Sequence, residues 1–209
     1  EPAVIAHAAV EGYATPTSVR PGSTVALHCS STVAAITVEI ARIGAAREVV
    51  FARDRVPVGH HALPDDAAAN GCRWPAAITI PVEATWRSGY YEVVLCAPDV
   101  DPAIGTSLAY FVVRSATPGR DTPMVLALST TTWNAYNDWG GPNLYMAASR
   151  VAFDRPLPKG FLDRPPAPND RLANATTPGG MSAASMFRLQ NRTPGTRCGS
   201  TQWSPLQAL

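Results

Sequence analysis

The residues best suited to chemistry lie together in the segment TTTWNAYNDWGGPNLY, residues 130–145. Tyr136 carries a phenol, which can bind a metal ion or contact a substrate. Asn134, Asn137 and Asp138 carry amide and carboxylate groups that can position a substrate or a water molecule. We take Tyr136, Asn134 and Asp138 as candidate catalytic residues, and Tyr136 as the candidate metal ligand.

Two tryptophans and a glycine pair complete this segment, and we take them with Asn137 as candidate substrate-binding residues. Trp133 and Trp139 can form part of a ligand cage, and Gly140 and Gly141 can present an amide nest to an oxyanion. Each residue also has a structural alternative. The rings can pack a corner, Asn and Asp can form Asx-turns, and paired glycines can supply positive φ. We favour the structural role for each residue taken alone.

A second cluster, His60, His61, Asp65 and Asp66, lies in a long connection between residues 53 and 75. Its side chains suit a divalent metal, but its spacing matches no established metal motif, so we regard it as a minor candidate. The sequence contains no G-x-S-x-G, H-E-x-x-H or P-loop motif, which gives no support to serine-hydrolase, zincin or nucleotide-binding functions.

The elements that must position these residues begin with a series of short strands before residue 114. Apolar residues alternate with polar ones, as at Val25, Leu27 and Cys29, and turn residues separate the runs. The runs are STVALHCS, ITVEIARI, REVVFAR, AAITIPV, SGYYEVVLCA and SLAYFVVRS. This pattern predicts a mainly β fold, an immunoglobulin-like antiparallel β-sandwich over residues 1–114. We expect Cys29 and Cys96 to be small buried apolar residues of these strands.

The pattern changes after the predicted linker at residues 115–123. MVLALS is a continuous apolar run, which is typical of a strand buried on both faces of an α/β sheet. Ligands bind beyond the carboxyl ends of such strands, and the aromatic segment follows directly. We predict the start of an α/β hydrolase-type domain over residues 124–155 and a tail of low order over residues 156–209.

Composition and charge narrow the classes of partner. Of 209 residues, 46% are apolar and 16% charged, which is enough apolar material for a core. The formal net charge of +1 gives no reason to expect nucleic acid or an anionic membrane as partner. No apolar run approaches the length of a membrane span and no secretory signal is visible, so we expect a cytoplasmic protein.

Several segments together are similar to the large (β) subunit of N,N-dimethylformamidase. They are MVLALSTTTWNAYNDWGGPNLY, SRVAFDRP, RPGSTVALHCS, VEIARIGAAREVV, ANGCRWP and WRSGYYEVVL. The resemblance covers roughly residues 10–156, and the Trp-x-Ala-Tyr-Asn-x-Trp-Gly-Gly run from Trp133 to Gly141 is its most specific part. It implies an immunoglobulin-like module followed by a glutamine-amidotransferase-like domain, and hydrolysis of a small amide.

The resemblance also implies a mononuclear iron held by tyrosine phenolates and a glutamate. Tyr136 and Tyr145 are the only tyrosines after the linker, and no glutamate follows Glu92. We therefore expect a fragment that binds no iron and turns over no amide alone. The family's small subunit and a homo-oligomer are the partners implied. The alternative is an autonomous β-sandwich binding or assembly module whose aromatic segment docks a partner.

Overall fold

The computed structural model describes residues 8–120 and 123–162. These residues form eight strands and three short helices. The strands are β1 (Val10–Thr15), β2 (Ser18–Val19), β3 (Thr24–Ser31), β4 (Ala35–Ile43), β5 (Arg47–Pro57), β6 (Ala76–Pro81), β7 (Gly89–Cys96) and β8 (Thr106–Val113). The helices are α1 (Ala67–Asn70), α2 (Pro102–Gly105) and α3 (Thr130–Tyr136).

The strands form two sheets, one with the order β1-β3-β6 and the other with the order β2-β8-β7-β4-β5. All neighbours pair antiparallel except β2, which runs parallel to β8. The fold class predicted from the sequence is confirmed at the level of a mainly β protein with the character of a β-sandwich. The immunoglobulin-like type stays a prediction.

The core is built from the alternating residues that the sequence singles out. Leu27, Ile40 and Val93 come from three different strands, and each is at most 1% exposed. They share one apolar cluster with residues of β1, β6 and β8. Burial of each such side chain contributes about 1.5–3 kcal/mol, which makes this cluster the main source of stability.

One end of the core is closed by stacked rings. Trp86 stacks on Tyr91 with ring centroids 5.3 Å apart, and Tyr91 stacks on Phe111 at the same distance. The hydroxyl of Tyr91 donates a hydrogen bond to the carbonyl oxygen of Arg87 at 2.6 Å. A tyrosine that bonds back to the chain a few residues upstream is a feature of many immunoglobulin-like sandwiches.

Strand β1 is not among the six strands that the sequence pattern predicts. Its centre is Gly12, where an added Cβ would lie 2.5 Å from Leu95 Cδ1 and 2.8 Å from the carbonyl oxygen of His28. Glycine is therefore needed for the close approach of β1 to its neighbours. The same glycine weakens the strand pattern in the sequence.

The prediction of a buried strand at MVLALS is wrong for the described structure. Residues 124–129 form no strand, and Met124, Val125 and Leu126 are 77%, 93% and 60% exposed. A strand buried on both faces needs paired strands beside it. Within residues 8–120 and 123–162, every strand belongs to the two sheets of the sandwich.

The segment that follows packs onto the outer face of the larger sheet. Leu162 and Trp133 are each 3% exposed and share a cluster with Tyr110 of β8. Residues 156–162, the start of the predicted low-order tail, therefore contact the sandwich. The rest of that predicted tail, residues 163–209, lies outside the described residues. No helix in the described part of the chain is long and apolar enough to cross a membrane.

Candidate functional site

Trp133 anchors the aromatic segment to the sandwich. Its ring meets Tyr110 edge-on at 5.2 Å and Tyr90 at 6.3 Å, and these two tyrosines stack on each other. Its indole nitrogen is buried and makes no hydrogen bond to the described residues. With 3% of its surface exposed, Trp133 supplies apolar packing area, which is the structural alternative considered from the sequence.

Trp139 forms a second anchor on the smaller sheet. Its ring lies edge-on to Trp74 at 5.8 Å, and its indole nitrogen donates to a carboxylate oxygen of Glu11 at 2.8 Å. Tyr13 and Cys72 belong to the same buried cluster. Because each tryptophan contacts a different sheet, the segment between them is held at both of its ends.

Asn137 and Asn134 are buried between these anchors. Asn137 is 1% exposed; its Oδ1 accepts from the Trp139 amide at 3.0 Å, which is an Asx-turn, and its Nδ2 donates to the Pro156 carbonyl at 2.9 Å. Asn134 is 6% exposed, with its Nδ2 at 3.5 Å from the Val151 carbonyl. Asp138 is exposed. Both hydrogen bonds of Asn137 hold backbone groups of the segment in place, whereas Asp138 faces solvent.

The glycine pair forms a turn that is packed closely on α1. Gly140 and Gly141 have φ of 70° and 141°. A Cβ on Gly141 would lie 2.9 Å from the Cβ of Ala68, and one on Gly140 would lie 3.2 Å from Leu63 Cδ1. This turn requires residues that adopt positive φ and lack a Cβ, which is the turn-forming role considered for the glycine pair from the sequence.

Tyr136 and Tyr145 form a pair of adjacent phenols. Their rings stack with centroids 4.2 Å apart and an angle of 13° between planes. Hydrogen bonding between the two hydroxyl groups raises the pKa of Tyr136, and burial and the charge of Tyr145 act in the same direction. Tyr145 is 66% exposed, so the pair opens toward solvent. Two oxygen donors are therefore available from one surface.

Asn143, which the sequence reasoning missed, links the backbones of this pair. It is 7% exposed; its Nδ2 donates to the Tyr136 carbonyl at 3.3 Å, and its Oδ1 accepts from the Tyr145 amide at 2.9 Å. An asparagine that follows Gly-Gly-Pro reads as an ordinary turn residue, so the sequence offers no signal for this role.

Arg155 is a second functional residue that the sequence reasoning missed. It is 2% exposed and donates to the carbonyl oxygens of Trp139 at 2.5 Å, Asn137 at 2.8 Å and Ala152 at 3.1 Å. Burial lowers the pKa of its guanidinium. Arginine suits this position because its planar fork offers several N–H donors in fixed directions.

A small cavity lies where the aromatic segment covers β1 and β8. Its volume is about 30 Å³, which is room for about two water molecules. Tyr13, Tyr110, Asn134, Asn137 and Arg155 are among the lining residues. Of the candidates for positioning water, Asn134 and Asn137 reach this cavity, whereas Asp138 does not.

The histidine and aspartate cluster does not form a metal site. Asp66 bonds to Arg73 and Asn70, and these hydrogen bonds lower its pKa to about 2. Among the residues that the structure describes, no group of three or more His, Cys, Asp or Glu side chains is placed to hold a metal ion. The minor candidate formed by His60, His61, Asp65 and Asp66 is therefore not supported in the described part of the chain, where Asp66 pairs with Arg73 and Asn70 and Asp65 and His60 are exposed.

The fold and the site together define a β-sandwich protein with a docked, phenol-bearing aromatic segment. Residues 37–190 match the family described as N,N-dimethylformamidase beta subunit-like, C-terminal. This match spans well over half of the chain, so the chain belongs to that family, as the resemblance in the sequence indicated.

The other comparisons add little. A search of curated proteins finds no match. A chain from the solved structure described as "Structural basis of T cell specificity and activation by the bacterial superantigen toxic shock syndrome toxin-1" is similar, with 15% identity and a TM-score of 0.30. The similarity covers 52% of this chain and 98% of that chain. A TM-score this low does not establish a shared fold or function.

Proposed function

We propose that this protein contributes to the hydrolysis of a small amide, as a large-subunit chain of the N,N-dimethylformamidase type. Tyr136 and Tyr145 would contribute phenolate ligands to a ferric ion. The observation that carries this proposal is the adjacent pair of phenols, whose rings stack with their centroids 4.2 Å apart. Membership of the family supports the choice of substrate class.

The residues present fit part of the family's iron site. Two phenol oxygens are hard donors, and such oxygen ligands suit a hard cation. A carboxylate partner is not found: the described residues hold no cluster of metal-ligating carboxylates, and no glutamate follows Glu92 in the sequence. The chain therefore supplies the phenol part of such a site, and the carboxylate must come from elsewhere.

A bound ferric ion would supply a Lewis acid for the amide carbonyl and a source of activated water. This chain's own contribution is to hold two phenols at the surface on a segment fixed by Trp133 and Trp139. Metal binding requires the phenols to lose their protons. The raised pKa of Tyr136 opposes that loss until the metal binds.

The proposal extends to partners and to activity. We expect the family's small subunit or a second large-subunit chain to complete the site. We expect the isolated chain to hydrolyse neither dimethylformamide nor formamide. Turnover of either amide by the purified chain would contradict this part of the proposal.

The metal-binding part is tested by adding ferric ion to the purified chain. The chain as purified should retain no iron, because the carboxylate ligand is missing. Added in excess, ferric ion should give a visible charge-transfer band from phenolate to iron, and Tyr136→Phe and Tyr145→Phe should each weaken it strongly. Tyr90→Phe is the control, because the Tyr90 ring stacks on Tyr110 of β8. A band of unchanged intensity in Tyr136→Phe would overturn the assignment of that residue as a ligand.

A further inference from the structure

We infer that Asn143 is the positioning residue of the phenol pair, because its carboxamide holds the backbones of Tyr136 and Tyr145 side by side. This inference rests on the proposed function, since it concerns the same two phenols. It assigns a role to a residue that lies outside the aromatic motif from Trp133 to Gly141.

The contacts of Asn143 form a two-sided bridge. Its Nδ2 donates to the carbonyl oxygen of Tyr136 at 3.3 Å, and its Oδ1 accepts from the amide of Tyr145 at 2.9 Å. The Leu144 amide reinforces the bridge by donating to the Ala135 carbonyl at 3.1 Å. The chain is thus folded back on the last turn of α3, which places residue 145 beside residue 136.

The backbone of Asn143 is tied down as well. Its carbonyl oxygen accepts from the amides of Met146 at 3.0 Å and Ala148 at 3.1 Å. With 7% of its surface exposed, Asn143 is the most buried residue between Gly141 and Met146. Tyr145, by contrast, is 66% exposed, so the buried carboxamide of Asn143 fixes the backbone beside a ring that is open to solvent.

Only a side chain with a donor and an acceptor on one short planar group can make both bonds. Aspartate keeps the acceptor for the Tyr145 amide but loses the donor, and it places a negative charge against the Tyr136 carbonyl. Leucine has a similar volume and makes neither bond. Asn143→Asp and Asn143→Leu therefore form a graded pair of variants.

The pairing is read out by NMR of isotope-labelled tyrosine in the full 209-residue chain. Tyr136→Phe and Tyr145→Phe assign the two signals. We expect Asn143→Leu to abolish contacts between the two rings, with Asn143→Asp intermediate. Asn70→Asp is the control, since Asn70 is exposed and lies in α1.

Affinity for ferric ion is the second readout. Residues that orient metal ligands typically change affinity by about 10- to 100-fold when mutated, and we expect a loss in this range for Asn143→Leu. If the unaltered chain shows no ferric band, the proposed function fails, but the ring contacts still test the pairing. Intact ring contacts in both variants would overturn the role of Asn143. Asn143→Asp decides the matter if Asn143→Leu does not fold.

Discussion

At the scale of single residues, the aromatic segment depends on buried hydrogen-bonding groups. The guanidinium of Arg155 donates to three carbonyl oxygens, two of which bracket the exposed Asp138. Those carbonyls lie beyond the end of α3, where a positive charge is favourable. Arg155 therefore determines the path of the chain from Asn137 to Trp139, directly after the candidate ligand Tyr136.

Removing the guanidinium should destabilise the protein measurably. We expect Arg155→Met to lower the free energy of unfolding by about 2–4 kcal/mol, because it leaves buried carbonyl oxygens without donors. Arg155→Lys should fall between, because an ammonium reaches fewer of these oxygens. Urea unfolding measures both changes. Arg150→Met is the control, because Arg150 is exposed and should change stability by less than about 0.5 kcal/mol. Equal stability of Arg155→Met and the unaltered chain would refute this role.

At the scale of elements, the long connection between β5 and β6 serves as the platform for the aromatic segment. Ala68 accepts a hydrogen bond from the Ala152 amide at 2.8 Å, and the Cys72 amide donates to the Asp154 carbonyl at 2.8 Å. Gly141 lies against Ala68 with no room for a Cβ. The connection is therefore longer than a hairpin needs because it holds a second segment in place.

This close approach predicts the effect of a single methyl group. Gly141→Ala should cost about 1–3 kcal/mol, because the Cβ would meet Ala68 at 2.9 Å and φ is positive. Gly22→Ala is the matched control: its φ is also positive, at 83°, but nothing lies within 4 Å of the added Cβ. We expect Gly141→Ala to increase proteolysis within residues 137–146, and Gly22→Ala to leave that region protected. Equal proteolysis of both variants at this site would contradict the account.

At the scale of the whole molecule, burial of neutral acidic groups makes stability depend on alkaline pH. Burial raises the pKa values of Tyr13, Tyr91, Cys29 and Cys72 to about 12. In the unfolded chain these groups ionise near their ordinary values, about 10 for tyrosine and about 8.5 for cysteine. The unfolded state thus loses protons first. The stability these groups contribute is complete below those ordinary values and is lost as pH rises toward about 12.

The corresponding measurement is the free energy of unfolding in urea at a series of pH values. We expect it to fall steadily from about pH 9 to about pH 12. Tyr91→Phe should reduce the slope above about pH 10 by up to about 1.4 kcal/mol per pH unit, because one titrating group is removed. A profile that stays flat up to about pH 11 would show that these groups are not protected by burial.

The sequence by itself determined six of the eight described strands, much of the core and the family. Alternation at Leu27, Ile40 and Val93 is a local pattern, and a strand with one buried face follows from it directly. The aromatic run also marked the segment of interest, because its composition is visible without any knowledge of contacts.

Only the tertiary structure decided how that segment is held and which groups its residues contact. The side chains of Arg155 and Asn143 form hydrogen bonds with backbone groups whose positions depend on the complete fold. No local sequence pattern therefore predicts these hydrogen bonds. The exposed Met124–Leu126 run is a case in which the local pattern predicts an element that the structure lacks. A continuous apolar run predicts a buried strand, but a strand forms only where neighbouring strands accept its hydrogen bonds, and that is a property of the assembled sheet.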